Sequence, residues 1–248
     1  MAVSYMDFTS PSVRFTYDVN QNRFFTKDSQ NFINSLSINQ LNTLGNASLL
    51  DIYLSRGNVV EPHIHQNASE LVYAVTGAAT VSIINPFTKE LLNFPITPGQ
   101  VALVPQGWWH YEIATADDTH LLAIFDAPVP EFIGGSDLLR LTPASVFAHT
   151  YCLNKAKVKE TLAPIKDTVV IGPPKDCPNQ GQVQGEMIQQ HNKRDYYDMF
   201  QQQQEQLLEQ QERHFQHQFQ HSSGRQPQEQ LPRRQVIGNG WDIFAEEF

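Results

Sequence analysis

Three histidines and one glutamate, set among strand-like segments, constrain this chain more than any other feature. His63 and His65 are separated by one residue, so on a β-strand both side chains point to the same face. Glu70 follows a short polar turn and opens an apolar run, and His110 follows a second turn at 105–107. Three imidazoles and one carboxylate that converge inside a sheet are typical of a divalent-metal site with nitrogen and oxygen ligands.

We therefore predict that His63, His65, Glu70 and His110 bind a divalent metal. The alternative is a cluster of buried polar side chains without a metal, which would leave costly unpaired groups in an apolar interior. With this donor set, six-coordinate Mn(II) or Fe(II) would keep open positions for a substrate or dioxygen, whereas a closed structural site would not. The donor set alone does not choose among Mn, Fe, Ni, Zn and Cu.

The chain around these residues is a succession of short apolar segments separated by turns rich in Gly, Pro, Asn and Asp. The strands that this pattern predicts are 47–55, 61–65, 71–76, 79–84, 90–96, 101–104, 111–114 and 119–125. Many short strands joined in this way predict an all-β fold, a sandwich or barrel of the jelly-roll type. A Thr-Pro pair at 142–143 then predicts the start of a short helix at 144–153.

Apolar residues are unevenly distributed along the 248 residues, which favours one β-domain with polar extensions over two domains. We predict an N-terminal arm at 1–24, a β-domain at 25–153, and a connector with a C-terminal extension at 154–248. Glutamine dominates this extension, which we expect to be partly helical or partly disordered. An aromatic segment at 241–248 suggests a short peptide that docks on a protein partner, and the alternative is a frayed chain end.

Charge and hydropathy exclude several classes of protein. A net charge of -9 disfavours a general nucleic-acid binder, which needs a basic face. No run of about 20 apolar residues is present to span a membrane. The N-terminal residues lack the basic and apolar stretches of a signal peptide, and two cysteines are too few for a disulfide framework. We therefore expect a cytoplasmic protein.

The spacing of the candidate ligands resembles the two motifs of the cupin family. The first motif runs Gly57, five residues, His63-x-His65, four residues, Glu70, six residues, Gly77, and the second runs Gly99, five residues, Pro105-x-Gly107, two residues, His110. Ala114 stands where the second motif usually has Asn. The stretch 65–70 is most similar to the germin and oxalate decarboxylase branch, and the resemblance covers residues 25–153.

This resemblance implies a cupin jelly-roll β-barrel, a bound metal with Mn(II) favoured and Fe(II) next, and assembly into a homo-oligomer. In the decarboxylase branch, an arginine three residues before the first metal-binding histidine binds the second carboxylate of oxalate. Val60 stands at that position here. Because the charge-assisted partner is missing, a less charged substrate is favoured over oxalate.

Two glutamates are candidate catalytic proton carriers. Strand alternation places Glu112 on the same side as His110, where it could orient a ligand or move a proton. The alternative for Glu112 is a side chain at a strand end that reaches solvent. Glu131 lies in the loop after the last strand, where the decarboxylase branch carries an acidic glutamate, with Gly134 and Gly135 as candidate hinges. The alternative for Glu131 is an exposed loop side chain.

These features favour a metal-dependent oxidoreductase or lyase, similar to oxalate decarboxylase or a dioxygenase, that acts on a small organic substrate. The competing function is a non-catalytic, germin-like structural, coat, storage or ligand-binding protein that keeps its metal for stability. The Gln-rich extension favours assembly and supports this second interpretation.

Overall fold

The computed structural model describes residues 7–177 and, beyond them, Arg213 alone. Within 7–177 the chain forms two β-sheets, three short α-helices and one 3₁₀ turn at Val19–Gln21. The strands are β1 (Arg23–Thr26), β2 (Phe32–Leu36), β3 (Ser48–Leu54), β4 (Val59–Ile64), β5 (Glu70–Thr76), β6 (Ala79–Asn85), β7 (Glu90–Ile96), β8 (Val101–Val104), β9 (His110–Ala114), β10 (Thr119–Phe125), β11 (Ile133–Gly134) and β12 (Ile171–Gly172). The helices are α1 (Gly135–Leu141), α2 (Ala144–Tyr151) and α3 (Lys155–Leu162).

The two sheets face each other across one apolar interior. The first has the order β1-β2-β3-β10-β5-β8 and the second the order β11-β4-β9-β6-β7, with β12 also paired to β4. Every pairing is antiparallel. Ile52 and Val72 from the first sheet and Val81 from the second are buried in the shared core. This arrangement confirms the predicted all-β class of jelly-roll type.

Strand bounds agree best where the sequence has clear turn residues. The strands predicted at 90–96, 101–104 and 119–125 are confirmed at those bounds as β7, β8 and β10. β1 and β2 lie in a segment for which the sequence predicts no strand, because polar and apolar residues do not alternate regularly there.

The helical region after the barrel is larger than predicted. α2 begins at the predicted residue, Ala144, and ends at Tyr151. α1 begins at Gly135, in the loop that the sequence predicts after the last strand, and α3 occupies the predicted connector. Gly134, the residue before α1, has no side chain that could cap the helix, and the local cap comes instead from Asp137, which accepts a hydrogen bond from the Gly134 main-chain N–H at 3.2 Å.

Chain beyond residue 153, the predicted end of the β-domain, returns to the barrel. β12 pairs with Val59 and Val60 of β4, and Ile171 is buried in the core. Among the described residues, no helix is long and apolar enough to cross a membrane. The predicted Gln-rich extension lies outside the described residues, apart from Arg213.

Candidate metal centre

Hydrogen bonds fix the ring orientation of all three candidate histidines. Each Nδ1 atom lies at hydrogen-bond distance from a main-chain carbonyl oxygen: that of Glu61 for His63 (2.6 Å), of Glu131 for His65 (2.6 Å) and of Trp108 for His110 (2.8 Å). A carbonyl oxygen can only accept, so Nδ1 carries the hydrogen in each ring. The Nε2 atoms are therefore left to act as ligands, an arrangement typical of metal-binding histidines.

These Nε2 atoms converge on the carboxylate of Glu70. Its Oε2 atom lies 2.8 Å from Nε2 of His110, 3.4 Å from that of His65 and 4.0 Å from that of His63. The ligand atoms of the four buried residues all lie within 4.8 Å of one another. Nε2 of His63 and Nε2 of His65 are only 3.1 Å apart, a distance that requires either a hydrogen or a metal ion between the two nitrogen atoms. The donor set therefore fits a divalent metal ion.

The electrostatics of the cluster also favour a cation. Burial alone would raise the pKa of the Glu70 carboxyl, but hydrogen bonds from His110 and His65 hold it well below its usual range. Burial lowers the pKa of His63 well below its usual value, and a charge on nearby His110 lowers it further. Burial also disfavours charge on His110, yet the hydrogen bond to Glu70 raises the pKa of this imidazole to about 9. The ionised carboxylate and neutral His63 suit metal binding, in which a metal ion would displace the proton from His110.

The four ligands come from both sheets, which explains why the site lies in the interior. His63 on β4 is directly opposite His110 on β9, and Glu70 begins β5 in the other sheet. A bulge on β4 separates the pair formed by Val60 and Glu112 from the pair formed by His63 and His110. On a regular strand, two residues three positions apart would face opposite sides of the sheet. Because of the bulge, Val60 and His63 both face the interior.

Glu112 lies inside the barrel, as strand alternation predicts, and the alternative of a solvent-exposed side chain is wrong. Its side chain is 1% exposed, and its Oε1 atom lies 3.8 Å from Nε2 of His110. Neither carboxylate oxygen has a hydrogen-bond partner among the described residues. Burial, followed by the charge on Glu70, raises the pKa of Glu112 to about 8. The Glu112 carboxyl group beside the candidate ligands therefore keeps its proton to a higher pH than an ordinary glutamate does.

Glu131 contacts the candidate metal centre through its main-chain carbonyl oxygen and not through its carboxylate. Its carbonyl oxygen accepts the bond from His65, whereas its carboxylate accepts a hydrogen bond from Gln66 at the exposed surface, 3.0 Å away. Asn67 accepts a further bond from the Glu131 main-chain N–H. As the loop stands in the structure, the Glu131 carboxylate does not reach the ligands, and its catalytic role stays a prediction.

The side chain that covers the centre from this loop is that of Phe132. Its ring centroid lies 4.9 Å from that of His63 and 6.1 Å from that of His65. The apolar residues Val129 and Pro130 extend the same cover. The sequence alone does not predict this role, because an aromatic residue in a Pro-rich loop can equally pack in the core or lie at the surface.

A cavity of about 180 Å³ opens beside His63, His65 and Glu70. Its wall combines the interior faces of β2, β3 and β4 with the loop at 129–132. Val60 faces this cavity, at the position where an arginine would be expected for oxalate. An apolar chamber next to a group of metal ligands is the usual form of a small-molecule site.

Glu61 is a functional residue that sequence reasoning missed. Its carboxylate lies on the outer side of β4 and accepts hydrogen bonds from the main-chain N–H and the hydroxyl of Ser136 and from the N–H groups of Val169 and Val170, at 2.8–3.0 Å. Val170 has a φ of 60°, which is unusual for a β-branched residue and is held in place by this bond. Glu61 therefore fixes the start of α1 and the segment before β12, and its carbonyl oxygen orients His63.

Comparison with known proteins places this geometry in a family. Residues 21–159 match the sequence model of the family described as Cupin. Nectarin-1 of Nicotiana plumbaginifolia is 30% identical over 138 residues, which cover 51% of this chain and 58% of nectarin-1. Glutelin type-B 2 of Oryza sativa subsp. japonica is 23% identical over 157 residues, which cover 62% of this chain and 30% of the glutelin.

Among solved structures, oxalate decarboxylase from Bacillus subtilis superposes with a TM-score of 0.56 at 21% identity. The superposition covers 66% of this chain and 44% of that chain. The matches thus span less than two thirds of the length of each of these relatives. At this identity the likeness to oxalate decarboxylase concerns the fold alone. Together the matches confirm the resemblance predicted from the histidine spacing.

Proposed function

The chain belongs to the cupin family, and on this premise we propose that it is a metal-dependent oxidoreductase or lyase that acts on a small organic substrate. The observation that carries the proposal is the orientation of the three histidines: every Nδ1 is bonded to a carbonyl oxygen, so all three Nε2 atoms face the Glu70 carboxylate in a buried cluster. Mn(II) is the metal that we favour, with Fe(II) next, by resemblance to the decarboxylase branch.

A divalent ion held by these residues would supply Lewis-acid or redox chemistry beside the cavity. The chain contributes the surroundings in which such chemistry proceeds. Phe132, Val129 and Pro130 exclude water from one side of the cavity. Glu112 holds a proton at a carboxyl oxygen 3.8 Å from Nε2 of His110, where it could be passed to or from a substrate.

Metal content and turnover test the proposal together. We expect wild-type protein to contain about one divalent ion per chain by elemental analysis. Glu70→Gln should lose most of this metal, because the amide cannot supply the ligating charge, whereas Glu90→Gln, an exposed glutamate on β7, should retain it. Equal metal in both variants would contradict the proposed centre.

Glu112→Gln distinguishes an enzyme from a metal-binding protein without catalysis. We expect the variant to keep its metal and to lose about 100-fold or more in kcat, measured as dioxygen uptake or carbon dioxide release with the metal-loaded protein. Unchanged turnover would remove Glu112 from the mechanism. Metal-dependent thermal stability without any turnover in wild type would favour a non-catalytic structural, storage or ligand-binding role, which the similarity to a glutelin supports.

Self-association is part of the proposed function. β8 ends the first sheet, and two of its apolar side chains, Val101 and Leu103, are 52% and 59% exposed. An apolar edge strand of this kind favours pairing with a second copy of the chain. Sedimentation velocity on wild type and Leu103→Glu measures this, and the variant should shift toward monomer.

A further inference from the structure

The walls of the cavity are apolar well beyond the metal centre. The interior faces of β2 and β3 supply Ile33, Leu50 and Ile52, and the opposite side is closed by Val60, Phe132 and Val170. All of these carry only hydrocarbon side chains, so a ligand buried here gains chiefly from removing apolar surface from water.

The cavity wall lacks a positive side chain that could bind a second negative charge. No lysine or arginine lines the cavity among the described residues, and its titratable side chains, His63, His65 and Glu70, all belong to the metal centre. A divalent ion with one carboxylate ligand keeps a net charge of +1, which balances one anionic group of a ligand. A second anionic group would stand against hydrocarbon without a partner, which is strongly unfavourable.

The polar groups at the other end of the cavity are neutral. Ser35 accepts a hydrogen bond from the Asn22 side chain at 2.9 Å, which leaves the Ser35 O–H to donate. The Ser37 hydroxyl donates to Gln40 Oε1 at 2.8 Å, which leaves the Gln40 amide N–H groups as donors. Such groups suit a ligand whose far end is neutral and polar, or one with no polar group there. The volume of the cavity is that of about six water molecules.

We infer that this cavity selects small organic molecules with one metal-binding group and an apolar body, neutral or singly charged, and rejects dicarboxylates. The inference rests on the proposed function, since the metal holds the polar end of the ligand. It follows from the hydrocarbon wall and from the lack of a lysine or arginine among the described residues that line it.

Hexanoate and adipate test the inference, because they share a six-carbon chain and differ by one carboxylate. The protein is loaded with Mn(II), its metal content is measured, and binding of each acid is followed by calorimetry. We expect hexanoate to bind at least about 10-fold more tightly than adipate or oxalate, because only one charge can be balanced.

A charge variant makes the test independent of ligand size. Ser35→Arg places a guanidinium at the cavity, and we expect it to bind adipate more tightly and to reduce or reverse the preference for hexanoate. Ser145→Arg adds the same charge at an exposed position on α2 and should leave the preference unchanged.

The outcomes separate this inference from the proposed function. Metal-loaded protein that binds adipate or oxalate as tightly as hexanoate, or that binds none of the three, overturns the inference and leaves the metal centre standing. Protein that retains no Mn(II) overturns both.

Discussion

Two buried glutamates on neighbouring strands have opposite surroundings. Glu61, on the outer side of β4, accepts four hydrogen bonds, whereas Glu112, on the inner side of β9, accepts none from the described residues. Buried polar groups are normally paired, so an unpaired carboxyl calls for an explanation. We interpret the first as a structural anchor and the second as a group kept available for a ligand or a proton.

The largest effect that would sharpen this comparison is expected from Glu61→Ala. The change leaves the main-chain N–H groups of Ser136 and Val170 without their acceptor, so the free energy of unfolding should fall by about 3–5 kcal/mol in urea denaturation. Glu160 is an exposed glutamate on α3, and Glu160→Ala serves as the control. This variant should change the free energy of unfolding by about 0.5 kcal/mol or less. A loss similar to that of the control would mean that water replaces the Glu61 carboxylate without cost.

A smaller loss is expected from Gly134→Ala, which crowds the anchor without removing it. A Cβ atom at this position would lie 2.6 Å from Oε1 of Glu61 and 2.7 Å from its Cδ. Because the carboxylate is held by several donors and cannot move aside, we expect a loss of about 1–3 kcal/mol in unfolding free energy. Gly172→Ala, whose Cβ would have no neighbour closer than 3.6 Å, should have a much smaller effect.

A change of opposite sign in the free energy of unfolding is expected from Glu112→Gln in metal-free protein. The pKa of Glu112 is raised from 4.5 to about 8, so its contribution to stability is present below pH 4.5 and is lost as the pH rises toward 8. The glutamine variant cannot ionise. The free energy of unfolding of the variant, measured by urea denaturation, should therefore rise relative to that of wild type as the pH increases from 5 to 8. A difference that does not vary with pH would show that Glu112 ionises normally.

Much of the centre could be predicted because strand alternation and short turns are local properties of the sequence. Because side chains alternate with a period of two along a strand, the sequence predicts that His63 and His65 point to the same side. It likewise predicts that Glu112 shares the side of His110. The turn before Glu70 keeps this carboxylate at the start of a strand, where it meets Val104 on β8 and the two sheets approach each other.

The parts that could not be predicted depend on contacts between distant segments. A strict period of two would place Glu61 on the same face as His63, but the bulge on β4 turns Glu61 outward. At the start of α1 the main-chain N–H of Ser136 is bound by Glu61, 75 positions away, in addition to the local bond between Gly134 and Asp137. The direction of the Glu131 carboxylate is set by its hydrogen bond with Gln66, which lies 65 positions earlier in the sequence.

The bulge on β4 gives one short stretch of chain two duties. Two successive residues, Glu61 and Pro62, line the outer side of the strand, whereas Val60 and His63 on either side of them line the chamber. Insertions and deletions among related chains should therefore accumulate in the turns between strands rather than in this stretch.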